Sequence, residues 1–354
     1  MKKTLFSIAS VLSLQFFSHS VLAQTPAPAA APYVADTTKK DVPLVIAGYA
    51  DVYYRASSNS KGSYTSYTSA DNAFSLASAN IQISKETEKF AFMADLFFGE
   101  RADQTAYNYT GVISTSNILK QLYVVYKPSK KVKLTAGEFT TFFGYELIES
   151  PSNLNYSTSY TFSNGPFFHT GLKADFTLSD NFTATLGVFD PTDTKGFISG
   201  HKYVGGQLGY TKGTFKAFVN FLTGTTADSA STQLTTFDIT SSWQATPKFG
   251  LGFNLTNKGA SPTKGTSTSW LGTALYANYI LSDNFTLAAR GEVFDDSKGL
   301  ASLGTKITEF TLSGNVKAES FTFIPEIRFD NSDAKIFNGK SSDVSLILAA
   351  IYKF

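Results

Sequence analysis

Cysteine is absent from all 354 residues, so neither a disulfide framework nor a thiolate metal site can be built. Methionine occurs only twice, although 32 Phe and 18 Tyr crowd the chain. Runs of 18 consecutive apolar residues are missing, which excludes a conventional bilayer-spanning helix. Helical periodicity is missing too, and an α-containing protein of this length would show it somewhere. Neither charge sign dominates, with 30 basic and 28 acidic residues, so the basic stripe that binds nucleic acid is not expected. Histidine is scarce. Beyond residue 23 only His169 and His201 remain, and neither has metal-ligand spacing, so no metal or cofactor site is expected. His169 lies between Phe168 and Thr170 with no carboxylate placed to make a triad, which argues against an enzyme. Asp190 and Asp193 form a single Asp-x-x-Asp, too sparse for Ca²⁺ and better read as a solvated loop.

What is present begins with an address. Lys2 and Lys3 make a basic start, Thr4 to Phe17 a short apolar run, and Val21-Leu22-Ala23 a peptidase site. The pattern predicts a signal peptide over residues 1–23, cleaved after Ala23, and therefore export. Its removal takes Lys2 and Lys3 and brings the two charge signs into balance. Residues 24–41, rich in Ala, Pro and Thr, cannot bury a core and read as a flexible spacer.

From residue 42 to 354 apolar and polar side chains alternate with period two, the mark of β-structure. Sixteen strands are predicted, near 43–56, 73–85, 88–100, 118–128, 131–144, 167–178, 181–190, 201–212, 214–223, 233–245, 248–257, 269–281, 284–295, 306–317, 320–331 and 342–354. The connections alternate in length. Short links such as Lys85-Glu86-Thr87, Ser179-Asp180-Asn181 and Lys212-Gly213 take turns with longer Ser/Thr/Gly/Asn-rich segments. Outer-membrane barrels pair short periplasmic turns with long external loops in this way. The predicted fold is all-β, a transmembrane antiparallel up-and-down β-barrel occupying residues 42–354.

Alternation separates the faces. Phe168, Leu172, Ala174 and Phe176 oppose His169, Lys173 and Asp175, and Phe321, Phe323, Ile327 and Phe329 oppose Glu326, Arg328 and Asp330. A sixteen-strand cylinder is too wide for side chains to fill, so the apolar face is assigned to lipid and the polar face to the lumen. Phe182, Phe215, Phe249, Phe285 and Phe321 stand at the short-turn ends, where a membrane interface favours aromatics. The last strand puts Leu346, Leu348, Ala350, Tyr352 and Phe354 on one face. Its terminal Tyr352-x-Phe354 resembles the signal that barrel-assembly machinery reads, with Ile347 and Ala349 departing from it. The expected address is the outer membrane of a Gram-negative cell.

Several segments resemble the β-barrel porin-2 (OmpL-like) outer-membrane family. They are Gly48-Tyr49-Ala50-Asp51-Val52-Tyr53-Tyr54, Gln121-Leu122-Tyr123 with Tyr126, and a dense stretch from Gly144-Tyr145-Glu146 through Ser150, Asn153 and Asn155-Tyr156-Ser157. That stretch continues with Ser159-Tyr160, Phe162-Ser163, Pro166-Phe167 and His169-Thr170-Gly171. Glu138 stands where the family often has Lys, and Phe189-Asp190-Pro191 where it often has Asn-Gly-Trp. The resemblance implies an outer-membrane porin, a water-filled channel for passive diffusion of small hydrophilic solutes, without naming a solute. A plugged or closed barrel acting as a surface receptor or adhesin is the alternative. The small inner positions Gly137, Gly187, Gly205, Gly209, Gly250 and Gly252 favour the channel.

The polar face supplies the candidate pore-lining residues Asp51, Arg55, Asp95, His169, Lys173, Asp175, Lys216, Asp238, Arg290, Glu292, Glu309, Glu326 and Arg328. Opposed charges on neighbouring strands can set up a transverse field that sorts solutes. Segment 145–166, the third external loop, supplies the constriction candidates Glu146, Glu149, Asn153, Asn155 and Tyr156. Partners on this reading are outer-membrane lipid, the assembly machinery and the solutes. An apolar exterior suits either lipid or a neighbouring copy, so monomer and homo-oligomer (a trimer, for example) stay open.

Overall fold

The computed structural model describes residues 42–59, 62–105, 118–194, 200–226 and 231–354; the expected leader and spacer lie outside the described residues. Sixteen antiparallel strands form the wall. They are β1 (Val45–Ser57), β2 (Ala73–Glu86), β3 (Phe90–Phe98), β4 (Leu119–Ser129), β5 (Val132–Thr140), β6 (Phe168–Thr177), β7 (Phe182–Phe189) and β8 (Tyr203–Lys212). The second half comprises β9 (Phe215–Thr225), β10 (Gln233–Gln244), β11 (Phe249–Ser261), β12 (Thr268–Ser282), β13 (Phe285–Asp295), β14 (Lys306–Ala318), β15 (Phe321–Ser332) and β16 (Ser342–Lys353). Each strand pairs with its sequence neighbours, and β1 pairs with β16, so the barrel is closed and has no free sheet edge.

Closure runs from Tyr49↔Lys353 to Ser57↔Ser345. The backbones of Gly48 and Phe354 complete it by exchanging two hydrogen bonds, 3.1 and 3.0 Å long. Gly48 is required there, because a Cβ at that position would lie 2.2 Å from the backbone O of Asn80 and 2.6 Å from the Phe354 ring.

The expected strands and their two-beat connections match the observed ones closely, and the largest differences have local causes. β5 stops at Thr140 rather than near 144, because Thr141 instead donates its N–H to Phe167 O (3.0 Å) and the chain turns inward. β11 runs on to Ser261, since Lys258–Ser261 still pair with Gln233–Thr236 of β10.

Outward positions carry exposed apolar side chains around the whole circumference, from Phe74 and Leu76 through Leu186, Leu208 and Leu275 to Phe323 and Leu348. A surface of this kind is stable only against lipid or another apolar partner. Among the described residues no helix is long and apolar enough to cross a membrane; strands form the wall instead.

The core lies within the cylinder and is made by loops. Two short helices belong to these loops, α1 (Glu100–Thr105) and α2 (Tyr160–Ser163), together with a 3₁₀ turn at Ser150–Ser152. Tyr67, Ile148, Tyr156, Phe162 and Phe167 from the loops pack with Tyr49, Tyr53, Phe97, Ile324, Ile347 and Ile351 from the inner wall. The third loop thereby fills part of the volume that strands of this number would leave empty.

Candidate functional site: the docked third loop

Loop 3 joins β5 to β6 and enters the lumen. Its largely irregular backbone leaves N–H groups that need acceptors once water is excluded. The inner wall supplies carboxylates strand by strand. Asp238 on β10 accepts Gly144 N (3.2 Å), and Glu292 on β13 accepts Tyr160 N and Thr161 N (2.7 Å each). Glu326 on β15 accepts Tyr156 N (2.6 Å) and Ser157 N (3.0 Å), while Asp51 on β1 accepts the Tyr156 hydroxyl (2.8 Å). Hydrogen bonds to ionised acceptors contribute roughly 1.5–3 kcal/mol each, about twice a neutral one. The loop is therefore held along a series of such contacts.

Two arginines answer the loop's acceptors. Arg290 bonds Glu309 through Nε (2.9 Å) and reaches Glu146 and Ser157 O of the loop at 2.6 Å. Arg328 pairs with Asp330 (2.9 Å) and donates to Thr158 O (2.7 Å). A third, Arg101 of α1, bonds Asp51 (3.2 Å) and Ile148 O (3.2 Å) and lies 5.0 Å from the centroids of both the Tyr67 and Tyr156 rings. All three guanidiniums are buried, a state such groups reach only when paired.

Loop 3 also docks by shape. The Tyr145 ring stacks on Tyr276 at 4.1 Å and occupies the space above Gly252, where a Cβ would lie 2.4 Å from it. Thr161 sits over Gly272, with its Oγ1 2.0 Å from the position a Cβ would take. At the loop's other side Phe142 and Phe143 surround His169 together with Phe139 and Phe189, and His169 Nε2 meets Thr141 Oγ1 at 3.0 Å.

Most of the sequence-proposed pore-lining residues face inward but do not meet water. Asp51, Arg55, Asp95, His169, Asp238, Arg290, Glu292, Glu309, Glu326 and Arg328 are buried, whereas Lys173 and Asp175 are partly exposed and Lys216 is open. Alternation assigns a side chain to a face; it does not say whether a loop will cover that face. The inner glycines need the same correction. Gly187 and Gly252 receive the rings of Phe189 and Tyr145, Gly205 the Leu222 side chain, and Gly250 the Asn278 amide, so they are contact points rather than open lumen.

Of the loop candidates, Glu146 bonds Arg290, and Asn155 donates to Ser313 Oγ (2.8 Å). Tyr156 bridges Asp51 and Glu326, Glu149 pairs with buried Lys120, and Asn153 braces the loop at Leu147 (2.6 and 3.0 Å). Sequence reasoning missed Arg101, Lys120 and Tyr53. It also passed over a signal, because Ile324, Ile347, Ala349 and Ile351 stand on the polar beat of β15 and β16, where loop packing requires apolar surface.

In the next loop, Asp193 turns its carboxylate to Phe167 N (2.7 Å) and Phe168 N (3.0 Å), tying loop 4 to the end of loop 3. Burial pushes its pKa up to about 6, against the pull of those two N–H groups and of Lys258. Asp190 pairs with Lys202 (2.7 Å), so both carboxylates of the Asp-x-x-Asp have partners within the chain.

Residues 43–354 match a family model described as "Putative beta-barrel porin-2, OmpL-like". Among curated proteins, none matches the chain in sequence. Several solved structures share the fold. An anion-selective porin from Comamonas acidovorans superposes with a TM-score of 0.64 at 11% identity, covering 89% of this chain and 100% of its own. OmpT of Vibrio cholerae gives 0.59 at 12%, covering 89% and 99%. The outer-membrane channel DcaP of Acinetobacter baumannii gives 0.59 at 11%, covering 88% and 97%. At these identities the likeness concerns the fold.

Proposed function

Because the chain belongs to the beta-barrel porin-2, OmpL-like family, we propose that its docked third loop is the constriction of an outer-membrane channel for small hydrophilic solutes. The protein is an outer-membrane porin: its exterior meets lipid and its interior is the passage. The observation supporting the constriction is that loop 3 lies inside the wall, bonded to β10, β13, β15 and β1. A loop pinned at so many points acts as a fixed eyelet rather than as a flap. Glu146, Glu149, Asn153, Asn155 and Tyr156 shape it, and Lys173, Asp175 and Lys216 meet the solute beside it. The remaining inward charges, Asp51, Arg55, Asp95, His169, Asp238, Arg290, Glu292, Glu309, Glu326 and Arg328, support the eyelet from behind. No catalytic role is assigned, and His169 serves as packing.

On this reading residues 1–23 are a leader removed after Ala23 and 24–41 a spacer, while Tyr352 and Phe354 present the assembly signal. The second reading, a plugged barrel acting as receptor, draws on the breadth of loop 3's contacts, which also reach β4 through Lys120 and β8 through Gln207. Single-channel recording on the refolded, leader-free protein in a planar bilayer decides between them. Discrete current steps are the expected outcome. A folded and inserted protein that stays silent would overturn the channel and favour the plug.

A further inference from the structure

The inward-facing charges of the described residues fall into two populations. Around the loops they are buried, some as ion pairs, as in Asp51 with Arg101, Asp95 with Lys120, Glu309 with Arg290 and Asp330 with Arg328, and others, Asp238, Glu292 and Glu326, against neutral hydrogen-bond donors. The paired groups neutralise one another locally, and all of these side chains are turned away from water.

Towards the short-turn end, which is periplasmic in outer-membrane barrels, the charges face water and are not balanced. Lys127, Lys133, Lys173, Lys216, Lys317 and Lys353 stand on the inward beat of β4, β5, β6, β9, β14 and β16 and are partly or fully exposed. On the inward beat at this end, among the described residues, only Glu86 and Asp175 are acidic. Glu86 pairs with Lys127, and Asp175 is shared by Lys173 at 2.7 Å and Lys133 at 3.4 Å. Lys216, Lys317 and Lys353 have no salt-bridge partner among the described residues. A cavity of about 320 Å³ lined by Lys127, Lys133, Lys173, Gln121 and Tyr123 opens into the same region.

Resting on the channel reading above, we propose that this lysine-lined chamber makes the passage prefer small anions, such as chloride, inorganic phosphate and short carboxylates, over cations of the same size. The excess cations are spread around the circumference, and low-dielectric walls focus their field along the axis. Screening falls off over about 10 Å at 0.1 M salt, so the field persists beyond the wall itself. A mean potential of only about 1 kT per unit charge would enrich anions over cations roughly 7-fold.

The test is the reversal potential of the leader-free protein in a planar bilayer under a KCl gradient. The expected sign is that of chloride preference. Replacing two of the three salt-bridge-free lysines (K216Q with K317Q) should bring the chloride-to-potassium permeability ratio towards unity, and K216E with K317E should lower it further. Retained heat-modifiable mobility on gels would show that the variants fold. Current steps with no preference, or with potassium preference, would overturn the proposal while leaving the channel intact. An unchanged ratio in the folded variants would likewise remove the selectivity from this chamber. Silence of the native protein would overturn the channel reading itself.

Discussion

Arg290 shows how much a single side chain can organise here. Its fork joins Glu309 and Thr311 on the neighbouring strand to Glu146, Ser157 O and Ser157 Oγ on loop 3, all without contact with bulk water. Replacing it with Met would leave Glu146 and Glu309 buried without their cation, a change that costs about 3–5 kcal/mol when one member of such a pair is removed. R290M should therefore unfold at clearly lower denaturant concentration than the native barrel, measured by tryptophan fluorescence or gel mobility. R290K should fall between the two, because it keeps the charge and loses the fork. That Arg290 faces inward was legible from the alternation Thr286, Ala288, Arg290, Glu292. Its burial was not legible, since that depends on a loop more than a hundred positions earlier in the chain.

The hairpins of the wall were the most readable elements, because a period-two pattern and a short polar turn each carry their own local cause. Loop 3 was readable only in outline. Its length and its Tyr, Asn and Ser content marked it, yet its landing place is set by shape, and shape is dispersed over β11 to β16. Gly272 illustrates the point. In the sequence it is one glycine among 26, while in the fold it is where Thr161 touches the β12 backbone. Valine there would collide with a short, branched side chain that has little room to move. G272V should lift α2 from the wall and give larger or noisier single-channel steps, with the sixteen-strand circular dichroism signature retained. Steps of native size and quietness would show that loop 3 does not define the conductance.

At the scale of the molecule, the barrel depends on a seam. β1 and β16 meet along nine register pairs, and the Gly48–Phe354 exchange lies at its short-turn end. Deleting Phe354 removes both of those hydrogen bonds and the ring over Gly48. The yield of heat-modifiable, folded barrel on refolding should fall, whereas F354Y should restore it; equal yields for all three proteins would show that the seam tolerates an open end.

Gly48 and Phe354 lie about 300 positions apart in the sequence. The pairing that abolishes the sheet's edges thus joins β1 to the wall strand furthest from it along the chain. Until β16 is in place, β1 has no partner on one side, and the row of N–H and C=O groups it presents there could pair with any passing strand. For this protein topology sets a timetable: the wall can be built hairpin by hairpin, but the circle closes only when β16 returns to β1, and until then the chain is something other than a barrel.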